Sequence, residues 1–207
     1  MTSEAYWDAI FAGHQAENLR YDLWLEPYAE MLQQGSGRPI LDLGCGAGNN
    51  TLYAAERGWP VIACDRSGEA LKRVNERLPG VPTVRLDLRE RLPFDDGIAS
   101  AVIADLCLHY FSWAETVCMV DDIRRVLSAD GLLLCRVNST RDQEYGAGQG
   151  TEVEHHYYAW EGQLKRFFDR AQVYRLFRGW ALLNAEEQVM TRYAKEKQVW
   201  MIAAAKR

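Results

Sequence analysis

Apolar residues recur along this chain in two alternating rhythms. Ile40-Leu41-Asp42-Leu43, Val61-Ile62-Ala63-Cys64-Asp65 and Ala101-Val102-Ile103-Ala104-Asp105-Leu106 are short, nearly continuous apolar runs, the pattern of strands covered on both faces. Thr83-Val84-Arg85-Leu86-Asp87-Leu88 reads as a further strand. After Ser67, a fitting N-cap, the residues Ala70, Leu71, Val74 and Leu78 share one helical face, and Pro79-Gly80 stops that helix. Val117, Val120, Ile123 and Leu127 repeat at the same spacing up to Asp130-Gly131, before a strand over Leu132-Leu133-Leu134-Cys135-Arg136-Val137. Residues 169–179 read as helix, and Trp180 to Val189 and Gln198 to Ala205 as two final strands. Strands and helices in regular alternation predict an α/β fold in one domain spanning 1–207.

Two segments stand outside this rhythm. Between Tyr6 and Leu32, the apolar residues Trp7, Ile10, Phe11, Leu19, Leu23, Trp24, Leu25, Tyr28 and Leu32 predict an N-terminal helical cap over 1–37. Residues 139–168 hold Gly146, Gly148 and Gly150, then His155, His156, Tyr157, Tyr158 and Trp160. They show no obvious secondary structure, and a loop of that length and aromatic density reads as a substrate lid.

The chemistry concentrates where the first strand ends. Asp42-Leu43-Gly44-Cys45-Gly46-Ala47-Gly48 delivers a buried strand into a glycine-rich turn, and glycines there let a ligand lie against the main chain. The spacing G-x-G-x-G, entered through an acidic residue, departs from the G-x-G-x-x-G of pyrophosphate binders and suits a cationic ligand better. About twenty residues on, Asp65 closes the second strand, where a carboxylate accepts two hydrogen bonds from a ribose diol.

In these residues the chain resembles the class I S-adenosylmethionine-dependent methyltransferases, and is similar in flavour to small bacterial enzymes of the ubiquinone-biosynthesis and tellurite- or thiopurine-detoxification type. The resemblance is strong over 38–138 and looser beyond. It implies a Rossmann-like, seven-stranded, mostly parallel sheet with helices on both faces and an antiparallel C-terminal strand pair. It implies S-adenosylmethionine as cofactor, held by Asp42, Gly44, Gly46, Gly48 and Asp65, by Asp87 as partner of the adenine amine, and by Arg66, Leu88 and Asp105 at the adjoining strand ends. The activity expected is methyl transfer to O, N or S of a small-molecule acceptor.

Alignment and exclusion of water supply much of such a reaction, and a general base is needed only when the acceptor carries a proton. His109, just past the fourth strand, is the candidate base, with packing beside Tyr110 and Phe111 as the competing role. Asn138, Tyr145, His155, His156 and Tyr157 are candidate acceptor contacts. No metal site is read, because neighbouring residues of an extended segment, such as His155 and His156, point to opposite faces. After the fourth strand there is no Asn or Asp followed by Pro-Pro and an aromatic residue, and no Pro-Cys pair, so base and peptide methylation by those routes lose weight.

Charge changes this picture little. The net charge is −5, yet residues 161–207 carry ten Lys and Arg against five Asp and Glu. That asymmetry keeps an RNA methyltransferase as the alternative, while the dispersal of the basic residues disfavours nucleic acid as a partner. A cofactor-binding partner subunit without turnover is the other alternative. No apolar run approaches a membrane span and the N-terminus lacks signal-peptide character, so no membrane partner and a cytoplasmic location are expected. Five cysteines in apolar segments without a C-x-x-C pair read as buried thiols.

Overall fold

The computed structural model describes residues 3–13, 20–35 and 37–207. Leu19 of the predicted cap lies outside them. Helix α1 (Ser3–Gly13) precedes a 3₁₀ turn at Leu23–Tyr28 and the short α2 (Ala29–Gln33). The chain then alternates through β1 (Ile40–Leu43), α3 (Asn49–Glu56), β2 (Val61–Asp65), α4 (Gly68–Arg77), β3 (Thr83–Arg85), β4 (Ala99–Asp105), α5 (Trp113–Val126) and β5 (Leu127–Asn138). A small antiparallel sheet follows, β6 (Thr151–Glu154), β7 (Tyr157–Trp160) and β8 (Gln163–Arg166), and then α6 (Arg170–Leu176), β9 (Ala181–Met190) and β10 (Lys197–Ala205).

Seven strands form the main sheet in the order β3-β2-β1-β4-β5-β10-β9. All neighbours are parallel except those of β10, which runs antiparallel to both β5 and β9. Asp42 lies level with Ala63 of β2 and Ile103 of β4, so the carboxyl ends of the three central strands open on one crevice. Strand order reverses between β1 and β4, and such a reversal is where ligands bind in open α/β sheets.

The period-2 pattern divides the core. Leu41, Leu43, Val102, Ala104, Leu133 and Cys135 face α5 and α6, whereas Ile40, Ala101, Ile103, Leu132 and Leu134 face α3 and the Leu23–Gln33 region. Of the predicted cap, Trp24, Leu25, Tyr28 and Leu32 are therefore core and Leu23 is exposed, while α1 and the Arg20–Trp24 stretch turn toward the crevice. Helix starts follow local capping chemistry. Ser67 Oγ accepts from Ala70 N at 3.2 Å, and Ser112 with Glu115, like Asp169 with Gln172, forms a reciprocal capping box.

Four expectations need correction. The helix through Val117, Val120 and Ile123 stops at Val126, and Leu127 already belongs to β5, whose irregular register near Asp130 (φ 61°) reflects the Asp-Gly corner. The strand over Thr83–Leu88 is paired only as far as Arg85, leaving Asp87 in the turn beyond it. Cys118 is exposed on α5, while the other four cysteines are buried. Residues 139–168 hold a 3₁₀ turn at Gln143–Tyr145 and, from Thr151 to Arg166, the three-stranded sheet. Its second hairpin turns at Glu161-Gly162 with φ of 48° and 74°, the two positive values of a tight two-residue hairpin. Among the described residues no helix is long and apolar enough to cross a membrane.

Candidate active site

The crevice at the strand ends is a cleft of about 1060 Å³. Its floor is the glycine turn. Gly44, Gly46 and Gly48 have φ of 64°, 54° and 93°, and a Cβ on Gly44 would stand 2.6 Å from Cβ of Cys107. Only glycine fits that approach. Beneath the turn Asp42 is fully buried; its Oδ2 accepts from Thr51 Oγ1 at 2.6 Å, and its Oδ1 has no partner. Burial, reinforced by Asp105 and Asp65, pushes its carboxyl up to about 7.

Asp65 grips the turn from β2. Its Oδ2 accepts from Gly46 N at 2.9 Å and its Oδ1 from Ser67 N at 2.8 Å, tying the cradle to the start of α4. Burial raises its pKa even so. Asp87 accepts both Nε and Nη2 of Arg89, at 3.1 and 2.7 Å, and lies near Arg66; the Arg89 hydrogen bonds lead in holding its carboxyl below the ordinary range. Arg66 and Leu88 line the same wall. On the outer side, Trp7, Ile10 and Phe11 of α1 close over the cleft, Phe11 lying where a Cβ on Gly46 would meet its ring at 3.2 Å. Asp8 anchors α1 by accepting from Ser67 Oγ at 2.5 Å.

Asp105 lines the cleft, but its oxygens are already engaged, which changes the role expected of it. Arg136 donates to Oδ1 through Nε and to Oδ2 through Nη2, both at 2.7 Å; Asn50 and Arg192 add bonds of 3.3 Å to Oδ2. Arg136 also pairs with Asp22 at 2.6 Å and lies 4.4 Å from the Trp24 ring centre. Burial opposes ionisation of Asp105, yet Arg136 outweighs it and holds the pKa low. This network stiffens the strand ends. The next residue, Leu106, adopts φ 57°, a strained value for a branched side chain, at the lip of the cleft. Sequence reasoning missed Arg136 and Arg192, although a cation inside the apolar run of β5 demands a buried counter-charge.

The opposite end of the cleft is different in kind. His109 is buried in the 3₁₀ turn Leu108–Tyr110, with its Nδ1 unpartnered and its ring 4.3 Å from that of Tyr110. Burial, then the charges of Lys197 and Lys165, lower its pKa well below the ordinary imidazole value, so it stays neutral near pH 7. Asn138, Tyr145, Lys165, Lys197 and Tyr193 line this end as well. Lys197 donates to Asp142 at 2.7 Å and lies 4.3 Å from the Tyr145 ring centre.

His155, His156 and Tyr157 do not line the cleft. His155 and His156 occupy the first hairpin turn, His156 at φ 60°, with rings 3.8 Å apart. The turn overrides the opposite-face argument: donor atoms of Glu152, His155 and His156 lie within 4.8 Å of one another, away from the cleft lining. Tyr157 is buried and donates to Tyr110 O at 3.2 Å. The small sheet is bolted to the strand-four loop: Arg166 donates to Phe111 O, His155 O and Glu154, and Glu154 accepts from Trp113 N at 2.9 Å.

Comparison with known proteins agrees with this geometry. Residues 40–131 match the family described as a methyltransferase domain. An uncharacterized methyltransferase of Synechocystis is 34% identical over 103 residues, covering 50% of this chain and 48% of that protein. A trans-aconitate 2-methyltransferase of Acidovorax is 37% identical over 94 residues, covering 42% of this chain and 34% of the relative. The chain thus spans under half the length of these curated relatives. The structure of 1,6-didemethyltoxoflavin-N1-methyltransferase of Burkholderia thailandensis, bound to its substrate and S-adenosylhomocysteine, superposes with a TM-score of 0.65 at 21% identity, covering 88% of this chain and 78% of that one. The glycine cradle, the unpartnered buried Asp42 Oδ1 and the acidic strand ends fit the cationic, ribose-bearing S-adenosylmethionine, and residues 40–131, which build this half of the site, are the ones that match the methyltransferase-domain family.

Proposed function

We propose that this protein transfers a methyl group from S-adenosylmethionine to a small molecule bound at the His109 and Asn138 end of the cleft. The observation that carries the reading is that one cleft is lined both by a glycine-and-carboxylate turn and by His109, Asn138, Tyr145 and Lys165 of the small sheet. When bound, S-adenosylmethionine supplies an activated methyl group on a sulfonium. Gly44 and Gly46 give it main-chain contact, Asp65 and Asp87 offer acceptors for its ribose and adenine, and Asp42 places beneath the turn a buried carboxyl whose ionised form a bound cation would favour. Trp7, Ile10 and Phe11 exclude water from above, which strengthens every polar contact inside. His109, held neutral by its burial, accepts the acceptor's proton or orients the acceptor through a ring nitrogen.

Two similar proteins, named as trans-aconitate and 1,6-didemethyltoxoflavin methyltransferases, act on small molecules, which supports the same class here. Residues 139–168 then serve as the acceptor wall within a single domain over 1–207. The test is to incubate the protein with methyl-labelled S-adenosylmethionine and a cell extract separated into small molecules, RNA and protein. Label is expected among the small molecules; label in RNA or protein overturns the reading.

A further inference from the structure

The His109 end of the cleft holds more donor capacity than the chain satisfies. Asn138 is fully buried at the end of β5, lines the cleft, and has no partner at either Oδ1 or Nδ2. Buried amides are nearly always hydrogen-bonded, so a pair of idle groups facing a cavity marks the place of a ligand. Lys165 faces the same cavity from β8, half-buried, with its ammonium 5.4 Å from the Trp160 ring centre. Among the described residues no carboxylate lies within ion-pair distance of it, whereas the neighbouring lysine is matched, Lys197 to Asp142 at 2.7 Å. Arg136 and Arg192, which flank this end, are matched as well, to Asp105 and Asp22. This end of the cleft therefore keeps one ammonium without an ion-pair partner, Glu161 and Asp142 acting on it only from beyond contact distance.

We propose that this end recognises a singly charged carboxylate on the methyl acceptor, Lys165 forming the ion pair and Asn138 Nδ2 the hydrogen bond. The inference rests on the methyltransferase reading and adds the acceptor's chemical class to it. A dianionic phosphate is a poorer match, because at this end Lys165 alone lacks an ion-pair partner, while Lys197, Arg136 and Arg192 are held by carboxylates. A neutral acceptor leaves Lys165 desolvated without a partner, which is the costlier arrangement. Tyr145, whose hydroxyl donates to Lys195 O at 3.0 Å, fixes the side wall against which the carboxylate's carbon skeleton lies.

The probes are benzoate and cinnamate, each against its matched amide, titrated calorimetrically into the S-adenosylhomocysteine complex. Both carboxylates should bind at least about tenfold tighter than their amides, the usual cost of losing one charge-assisted contact. Lys165→Gln should bring that ratio to about one without changing S-adenosylhomocysteine affinity, and Lys165→Arg should retain part of it. Equal or tighter binding of the amides, no carboxylate binding, or an unchanged ratio in Lys165→Gln overturns the proposal. So does weaker S-adenosylhomocysteine binding in that variant, which would assign Lys165 to the cofactor. Failure of the parent protein to bind S-adenosylhomocysteine would instead sink the methyltransferase reading itself.

Discussion

The two ends of the cleft are built on opposite electrostatic terms. The cofactor end gathers Asp42, Asp65 and Asp87 around a turn of bare backbone, and of their carboxylate oxygens only Asp42 Oδ1 lacks a protein partner. The acceptor end gathers Lys165 and Lys197 around His109 and Asn138, and leaves His109 Nδ1 and both Asn138 amide atoms without one. Between them stands the Arg136–Asp105 pair, buried and doubly bonded. The contrast separates what the fold supplies from what this chain adds. On the proposed reading, a scaffold at the strand ends serves the cofactor, and the less satisfied surface serves the acceptor.

Breaking the divider should have the largest effect. Arg136→Met leaves Asp105 buried beside Asn50 with its main counter-charge gone, and removing one partner of a buried pair costs about 3–5 kcal/mol. Denaturant titration should show a loss of that order. A change near zero would mean that Arg192 and water compensate fully.

Changes confined to either end should separate affinity from turnover. His109→Asn keeps a polar side chain and removes the base; turnover should fall by about 10² to 10⁴ while S-adenosylhomocysteine affinity stays level. Because burial and the two lysines hold the imidazole pKa well below 6.5, the parent enzyme should show no acid limb near that pH. An acid limb near 6.5 that disappears in His109→Asn would mean the imidazole is solvated during turnover. Asp65→Ala should act the other way, weakening S-adenosylhomocysteine about tenfold to a hundredfold, the cost of about 1.5 to 3 kcal/mol for a charged hydrogen-bonding group. The benzoate-to-benzamide ratio at the far end should not move.

A pH titration sharpens the comparison further. Asp42 is raised from 3.8 to about 7, so between those values the folded protein holds a proton that the unfolded chain has lost. Its contribution to stability is therefore present below pH 3.8 and declines as pH rises toward 7. Thermal melts of the cofactor-free protein should carry that slope, and Asp42→Asn should flatten it. The smallest effect is expected in residues 139–168. With Arg166 and Glu154 tying β6–β8 to Phe111 and Trp113, the small sheet is a fixed wall, and S-adenosylhomocysteine should add no hydrogen-exchange protection there. Strong added protection would restore a closing lid.

The same division explains what was legible in the sequence. The glycine turn, Asp65 and the alternating strands are local instructions, written in consecutive residues whose backbone geometry admits few alternatives. Asp87 was recognisable by position although its strand ends two residues earlier. The acceptor end is assembled from the turn after β4 and from β5, β8 and β10, and in sequence Lys165 and Lys197 look like any solvated lysines. Arg136 carried a signal in its apolar strand that went unused. The small sheet also carried one, since Tyr157–Trp160 and Gln163–Arg166 are separated by two residues that include Gly162. Without that hairpin, an extended segment turns one of His155 and His156 toward the cleft, whereas the hairpin turn leaves both off its lining.

The most direct test of the account is calorimetry of S-adenosylhomocysteine against the protein, with NADH as the control nucleotide. The glycine turn and acidic strand ends predict S-adenosylhomocysteine binding in the micromolar range, about −8 kcal/mol, and no measurable NADH binding. Tight NADH binding with none for S-adenosylhomocysteine would contradict it.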